Sequence, residues 1–286
     1  MAKVVKERSR ENAEFIVQRV SFDSLTQIEN DLLAVEEPLE IRLGFSKNNK
    51  FSHQAISVTM RTPDNDFELA AGFLFTEGIL TSKNQISSIK YCGKFGQVKN
   101  VVRIDLEPDV EVDLKKIERN FYTTSSCGVC GKSSIEAIST GGKALTETNY
   151  PKISPETFYH LPEKLRLSQT VFDRTGGLHA AAFFDVAGNL IDLKEDVGRH
   201  NAVDKLIGAQ FLRDSLPLST KILFLSGRAS FELVQKAVMA QIPIIAAVGA
   251  PSSLAVEAAE NFGITLLGFV RNKRFNVYTG KNRVIL

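Results

Sequence analysis

Apolar and polar residues alternate along the first hundred positions in short runs. Phe15 to Val20 reads as a first strand, set within a polar lead-in that spans residues 1–35. Ile41-Arg-Leu-Gly-Phe and Ile56-Ser-Val-Thr-Met alternate with a period of two, the mark of half-exposed strands. Arg61-Thr-Pro-Asp-Asn-Asp is turn chemistry, and Asp64 to Asp66 are placed to cap the apolar helix Phe67 to Phe75, which Gly78 ends. Ile86 to Cys92 and Val98 to Leu106 predict two strands around a turn at Gly93 to Gly96. The front part is therefore expected to be α+β with an antiparallel sheet.

The pattern changes near Asn120. Thr123 to Lys132, TTSSCGVCGK, is small and polar with no hydrophobic period, and Ser133 with Glu136 forms a capping box before Ile135 to Ile138. Beyond Thr170, strands and helices alternate. Ala180 to Val186 and Leu190 to Leu193 form a hairpin across Gly188-Asn189. Helix 201–212 follows, then strand 221–225, helix 231–240, strand 242–248, helix 254–261 and strand 264–270. Such alternation requires parallel strands joined by right-handed crossovers. The expected organisation is α/β: a smaller α+β domain over 1–119, then a three-layer α/β/α domain over 120–286 that carries the C-x-x-C loop and the basic tail.

Composition narrows the class. Of 286 residues, 43% are hydrophobic and 24% charged, which excludes a disordered chain, a collagen-like repeat and a disulfide-dense miniprotein. The net charge of +2 gives no global field for nucleic acid, so an anion site must be local. Cys92, Cys127 and Cys130 are too few for a secreted disulfide framework, and a reducing cytoplasm is expected. The basic start MAKVVKERSR leads into no apolar stretch of a signal peptide. The run Ile242 to Ala250 contains Pro243 and falls short of the roughly 20 residues of a membrane span. Neither a nucleic-acid nor a membrane partner is expected.

Cys127-Gly-Val-Cys130 is the sharpest local feature. Such a pair can hold half a zinc site, exchange disulfides or carry a reactive thiolate. A closed zinc site needs four ligands, and there is no second C-x-x-C, while His53, His160, His179 and His200 lack ligand spacing. No structural metal is expected. Lys132, the helix start at Ser133 and the hydroxyls of Thr123, Thr124, Ser125 and Ser126 favour a thiolate. An inert loop pair stays open, and Cys92, on a strand, reads as a small buried apolar residue.

Other polar clusters stand at strand-to-helix junctions. Glu195-Asp-Val-Gly-Arg-His-Asn201 is dense in ionisable groups, and His200 is as suited to acid–base work as to a structural contact. Leu225-Ser-Gly-Arg-Ala-Ser230 would suit a phosphate, or be a plain turn with Ser230 as cap. Val248 to Ser253 repeats that arrangement. Thr175 to Ala182 holds His179 after a glycine pair. Phe269-Val-Arg-Asn-Lys-Arg274 opens a tail with five basic residues and no acidic one from Arg271 onward. It could hold a nucleotide's base and phosphates, or be a solvated hairpin.

Taken in order, TTSSCGVCGK, FDRTGGLHAAAFFD, EDVGRHNAVDKLIG, LSGRASFELVQKA, GFVRNKRFNVYTG and the front segment RTPDNDFELAAGFLFTEGIL resemble the formate dehydrogenase accessory sulfurtransferases of the FdhD/NarQ type. The resemblance spans roughly Glu37 to Gly280. It implies a cytoplasmic, homodimeric sulfur carrier with a cytidine-deaminase-like α/β/α domain. Such a carrier takes persulfide sulfur from a cysteine desulfurase and passes it to the molybdenum cofactor, bis-molybdopterin guanine dinucleotide, to activate formate dehydrogenase. The persulfide position falls on Cys127, its second cysteine on Cys130, and the cofactor-binding stretch on Phe269, Val270, Arg271, Asn272, Lys273 and Arg274. A nucleoside deaminase's H-x-E is absent, since Ala180 and Ala181 follow His179. A dithiol oxidoreductase and a non-enzymatic cofactor chaperone are the competing readings. Arg199, His200 and Arg228 are expected to line the same crevice.

Overall fold

The computed structural model describes residues 4–22, 24–47, 50–93, 99–111, 144–145 and 152–285, without side chains for 4–8 and 24–26. The predicted boundary at 119/120, the C-x-x-C loop and the Ser133–Glu136 capping box lie outside the described residues. Three antiparallel strands open the chain: β1 (Val4–Arg8), β2 (Asn12–Ser21) and β3 (Ser24–Ala34). The polar lead-in is thus a sheet of its own around the one strand its pattern suggested. Val20, Phe22 and Ile28 remain exposed on it, so burial does not write the usual alternation into its sequence.

A four-stranded sheet follows in the order β5-β4-β7-β6, from β4 (Glu37–Lys47), β5 (Lys50–Arg61), β6 (Ile86–Tyr91) and β7 (Val101–Leu106). Leu39, Ile41, Leu43 and Phe45 alternate inward from β4, the period-two signal of a one-sided strand. The sheet is mixed rather than antiparallel as expected: β4 and β7 run parallel, because α1 (Asp66–Thr76) and the β6–β7 hairpin bring β7 back beside β4. The expected carboxylate cap of α1 is also absent. Asn65 at the cap has φ 55° and makes no side-chain cap bond, while both Asp66 oxygens accept from Arg61, Nε at 2.9 Å and Nη2 at 3.1 Å.

The larger sheet has the order β13-β12-β11-β10-β8-β9. Its strands are β8 (His179–Phe184), β9 (Leu190–Asp196), β10 (Ile222–Leu225), β11 (Ile244–Ala247), β12 (Thr265–Arg271) and β13 (Arg274–Thr279). The centre, β10-β11-β12, is parallel as the alternation required, with antiparallel partners at both flanks. Its short strands are apolar throughout because both faces are covered. One face carries α4 (Arg199–Leu212), α5 (Phe231–Met239) and α6 (Ser253–Asn261). The other packs Phe158, Leu161 and Leu165 of α2 (Pro155–Ser168) against Ala180, Ala182, Phe184 and Phe224. The expected three layers are present. Helix α2 escapes the hydrophobic pattern because Pro162 and polar residues interrupt it, although Pro155 after Ser154 is a legible start signal. The short α3 (Thr170–Thr175) follows it.

Helices α1 and α4 meet without side chains between them. A Cβ on Gly72 would stand 1.9 Å from the Asp204 carbonyl oxygen, and one on Gly208 1.9 Å from that of Glu68. This contact fastens the four-stranded sheet to the helix that begins at the edge of the larger one.

Candidate functional site

The strand connections place every polar cluster from the second half of the sequence on one edge of the larger sheet. β10, β11 and β12 end there, β8 begins there, and α4, α5 and α6 start there. Ligands of open α/β sheets bind at this kind of edge. The loops are stitched together by backbone bonds: Gly249 N–H donates to the Gly227 carbonyl at 2.9 Å, Ser252 N–H to Ala229 at 3.0 Å and Phe269 N–H to Gly249 at 3.1 Å. Gly249 is needed for the approach, since a Cβ would lie 2.9 Å from the Gly227 carbonyl oxygen. The Ser226 hydroxyl accepts from the Ala180 N–H at 2.8 Å, which fixes the start of β8 beside the end of β10.

The dense stretch 195–205 divides into two jobs. Asp196 is fully buried, and its carboxylate accepts from Gly198 N–H, Thr62 N–H and the Asn201 amide at 2.8, 3.2 and 3.0 Å, with Lys205 Nζ at 2.7 Å. Lys205 also donates to the Thr62 carbonyl at 2.7 Å, and the Asn201 amide to Met60 at 2.7 Å. Glu195 accepts from the Val171 and Phe172 N–H groups at the start of α3. These residues are structural: Asp196, Asn201 and Lys205 lock β5 and the turn after it to α4, and Glu195 ties the end of β9 to α3.

Between them, Arg199 and His200 form the first turn of α4 at the edge. His200 Nε2 lies 3.3 Å from the Ser230 hydroxyl and 3.8 Å from the Glu232 carboxylate, which bridges the starts of α4 and α5. The hydrogen bond from His200 holds Glu232 down to about 2, against the opposing effect of its burial. His179 sits half-buried at the start of β8, and a Cβ on Gly227 would stand 3.3 Å from its Nδ1. Burial pushes its imidazole below the ordinary histidine range, and Arg199 and His200 push in the same direction. Arg199 Nε is cut off from solvent and has no hydrogen-bond partner among the described residues. Glu232 carried no signal in the sequence; only its pairing with His200 in space reveals it.

The tail stretch lies at the same edge. Phe269 adopts φ 54°, rare for an aromatic residue, and breaks the β12–β13 register between Gly268 and Arg271. Its ring is half-buried, with the Arg271 guanidinium 5.6 Å from the ring centre. Asn272 and Lys273, at φ 53° and 54°, form the two-residue turn between Arg271 and Arg274. Arg271, Asn272, Lys273 and Arg274 are exposed, while Val270 is fully buried in the core against α2. Five of the six predicted residues are thus at least partly open to a ligand. Cys127 and Cys130 lie outside the described residues. Among the described residues, no three acidic, histidine or cysteine side chains could hold a metal, and no helix is long and apolar enough to cross a membrane.

Comparison with known proteins agrees with these motifs. Residues 34–285 match the sequence profile described as the FdhD/NarQ family. The chain is 51% identical over 269 residues to the sulfur carrier protein FdhD of Streptomyces coelicolor, covering 92% of this chain and 93% of that one. It is 47% identical over 261 residues to the protein of the same name from Mycobacterium tuberculosis, covering 89% and 92%. The crystal structure of a putative formate dehydrogenase accessory protein from Desulfotalea psychrophila superimposes with a TM-score of 0.72 at 23% identity, covering 96% of this chain and all of that one. The chain belongs to the FdhD/NarQ family.

Proposed function

We propose that this protein is a sulfur carrier that serves formate dehydrogenase. Cys127 takes sulfur from a cysteine desulfurase as a persulfide and passes it to the molybdenum cofactor, bis-molybdopterin guanine dinucleotide, which is substrate here rather than resident group. The observation that carries this reading is near half-identity, along almost the whole chain, to proteins named sulfur carriers. The edge of the larger sheet, its rim included, supports it with side chains of suitable chemistry. Phe269 and Arg271 offer an aromatic face and a cation, and Lys273 and Arg274 add charge at its rim.

Loading is an ordinary displacement. The Cys127 thiolate attacks the outer sulfur of the donor persulfide, a new S–S bond forms, the donor S–S bond breaks, and the donor thiolate leaves and takes up a proton. Loading conserves redox equivalents, and the outer sulfur is released at the sulfide level when a second thiolate attacks the Cys127 sulfur, closing a disulfide as the persulfide S–S bond breaks. A homodimer in the cytoplasm is the expected setting.

The test is to incubate the reduced protein with a cysteine desulfurase and cysteine, then map sulfur adducts by mass spectrometry without reductant. One added sulfur on Cys127, absent without desulfurase and absent in Cys127→Ser, is the expected result. An unmodified Cys127 beside an active donor control rejects the reading. Cys130→Ser separates persulfide carriage from dithiol cycling, which needs both cysteines.

A further inference from the structure

A cavity of about 310 Å³ opens beside the four-stranded sheet, where the turn between β1 and β2 meets the ends of β5 and β6. No residue from the edge of the larger sheet lines it. Its size is at the lower end for small-molecule sites, about 300–1,000 Å³.

One buried guanidinium fixes its floor. Arg61 gives Nε and Nη2 to the Asp66 carboxylate at 2.9 and 3.1 Å. Nη2 also reaches the Lys99 carbonyl at 3.2 Å and Asn100 Oδ1 at 3.3 Å, and Nη1 the Glu37 carbonyl at 3.4 Å. Arg61 thus ties the end of β5 to α1, to the start of β4 and to residues 99–100, and each of its nitrogens is engaged. The Tyr91 hydroxyl donates to the same Asp66 at 3.1 Å, and its ring packs on Phe67 with centres 4.8 Å apart. Burial above all pushes the phenol up to about 12, so it stays a donor and this wall stays in place.

Other groups lining the cavity are not engaged in this way. Lys99 forms no ion pair or hydrogen bond through its ammonium among the described residues, and that ammonium lies 5.0 Å from the centre of the Tyr91 ring. Asn100 has its Oδ1 held by Arg61, which leaves Nδ2 as a donor with no partner there. Arg10 makes one contact, from Nη1 to Asp64 Oδ1 at 3.2 Å, and the second Asp64 oxygen accepts nothing among the described residues. Asp64 and Asn65 are held at φ 85° and 55°. Backbone strain of this kind clusters at ligand clamps. Three donating groups, two of them cations, therefore stand with the Asp64 carboxylate. They match a carboxylate that carries an N–H beside it. A phosphate dianion matches less well, because Glu37, Asp64 and Asp66 share the same walls.

We infer that this cavity binds the α-carboxylate end of an amino acid, either free or as the last residue of a peptide. Lys99 and Arg10 hold the carboxylate, Asn100 Nδ2 donates to one of its oxygens, and Asp64 accepts from the neighbouring N–H. The site is separate from the sulfur-carrying residues and adds a second ligand to the protein.

The experiment titrates the full-length protein with alanine, trialanine, alaninamide and inorganic phosphate by calorimetry at pH 7. Alanine, trialanine or both are expected to bind, and alaninamide, which lacks the carboxylate, is not. Binding of alanine alone identifies a free amino acid as the source, and binding of trialanine alone a chain end. Lys99→Gln is expected to weaken binding tenfold or more. Lys83→Gln, at an exposed position outside the cavity, is expected to leave it unchanged. The inference is overturned if neither carboxylate binds, if alaninamide binds as tightly as alanine, or if phosphate binds more tightly than both. Equal binding by wild type and Lys99→Gln, with both folded by circular dichroism, overturns it as well. Sulfur loading on Cys127 enters none of these readouts, so either proposal can fail while the other stands.

Discussion

Asp196 and Arg199 are three residues apart, are both charged, and have opposite surroundings. Asp196 has four donors around its two oxygens and is fully buried. Arg199 has a shielded nitrogen with no acceptor. A native structure satisfies nearly all of its buried polar groups, so the contrast separates a residue that holds the fold from one that does not. Sequence density alone could not make that separation, because both lie in Glu195-Asp-Val-Gly-Arg-His-Asn201. It follows from where β5 ends. Thr62 and Met60 reach Asp196, Asn201 and Lys205 across more than 130 positions of chain, and they leave Arg199 and His200 untouched.

The largest expected effect comes from breaking the saturated side. Asp196→Ala leaves the Lys205 ammonium buried without its counter-ion and frees two backbone donors. Loss of one partner from a buried pair costs about 3–5 kcal/mol. Urea unfolding should show a fall of that size in stability. A loss below about 1 kcal/mol would mean that water replaces the carboxylate, and that the clamp between β5 and α4 is weaker than its geometry.

Much of this contrast was legible in the sequence, and some was not. The parallel centre of the larger sheet and its helices follow from apolar runs bounded by turn residues, such as Ile222–Leu225 before Ser226-Gly227 and Ile244–Ala247 before Gly249. The polar clusters at 195–201, 225–230 and 248–253 were visible as junctions. Their shared edge was also deducible, since parallel strands end on one side. The role of each residue was not, because it depends on partners distant in the chain: Thr62 for Asp196, and Glu232 for His200. The parallel pairing of β4 with β7 was hidden for the same reason, as pairing direction leaves no mark on local periodicity. The cysteine motif was legible as chemistry, but its position lies outside the described residues.

A smaller effect sharpens the open side. His179 titrates near 6.5 when unfolded and lower when folded, chiefly through burial. Between the two values the unfolded chain binds a proton that the folded chain does not. Stability from this source is therefore complete above the unfolded value, falls as pH drops through the window, and levels off below the folded value. Denaturation midpoints of wild type and His179→Gln across pH 4.5–7.5, a range set about the value near 6.5, should diverge in that window. Parallel curves would show that His179 meets solvent as freely in the fold as outside it.

The smallest effect on stability is expected at Arg199→Met. An unsatisfied buried polar group carries a desolvation penalty of about 1–3 kcal/mol. Methionine removes that penalty, keeps most of the apolar stem's packing and relieves repulsion with His179. The ligand-free protein should thus lose no stability and could gain up to about 1 kcal/mol. A residue that held the fold would behave as Asp196 does, with a loss of several kcal/mol on truncation. Thermal or urea unfolding discriminates the two. A variant destabilised to the extent of Asp196→Ala would place Arg199 with Asp196, as part of the clamp.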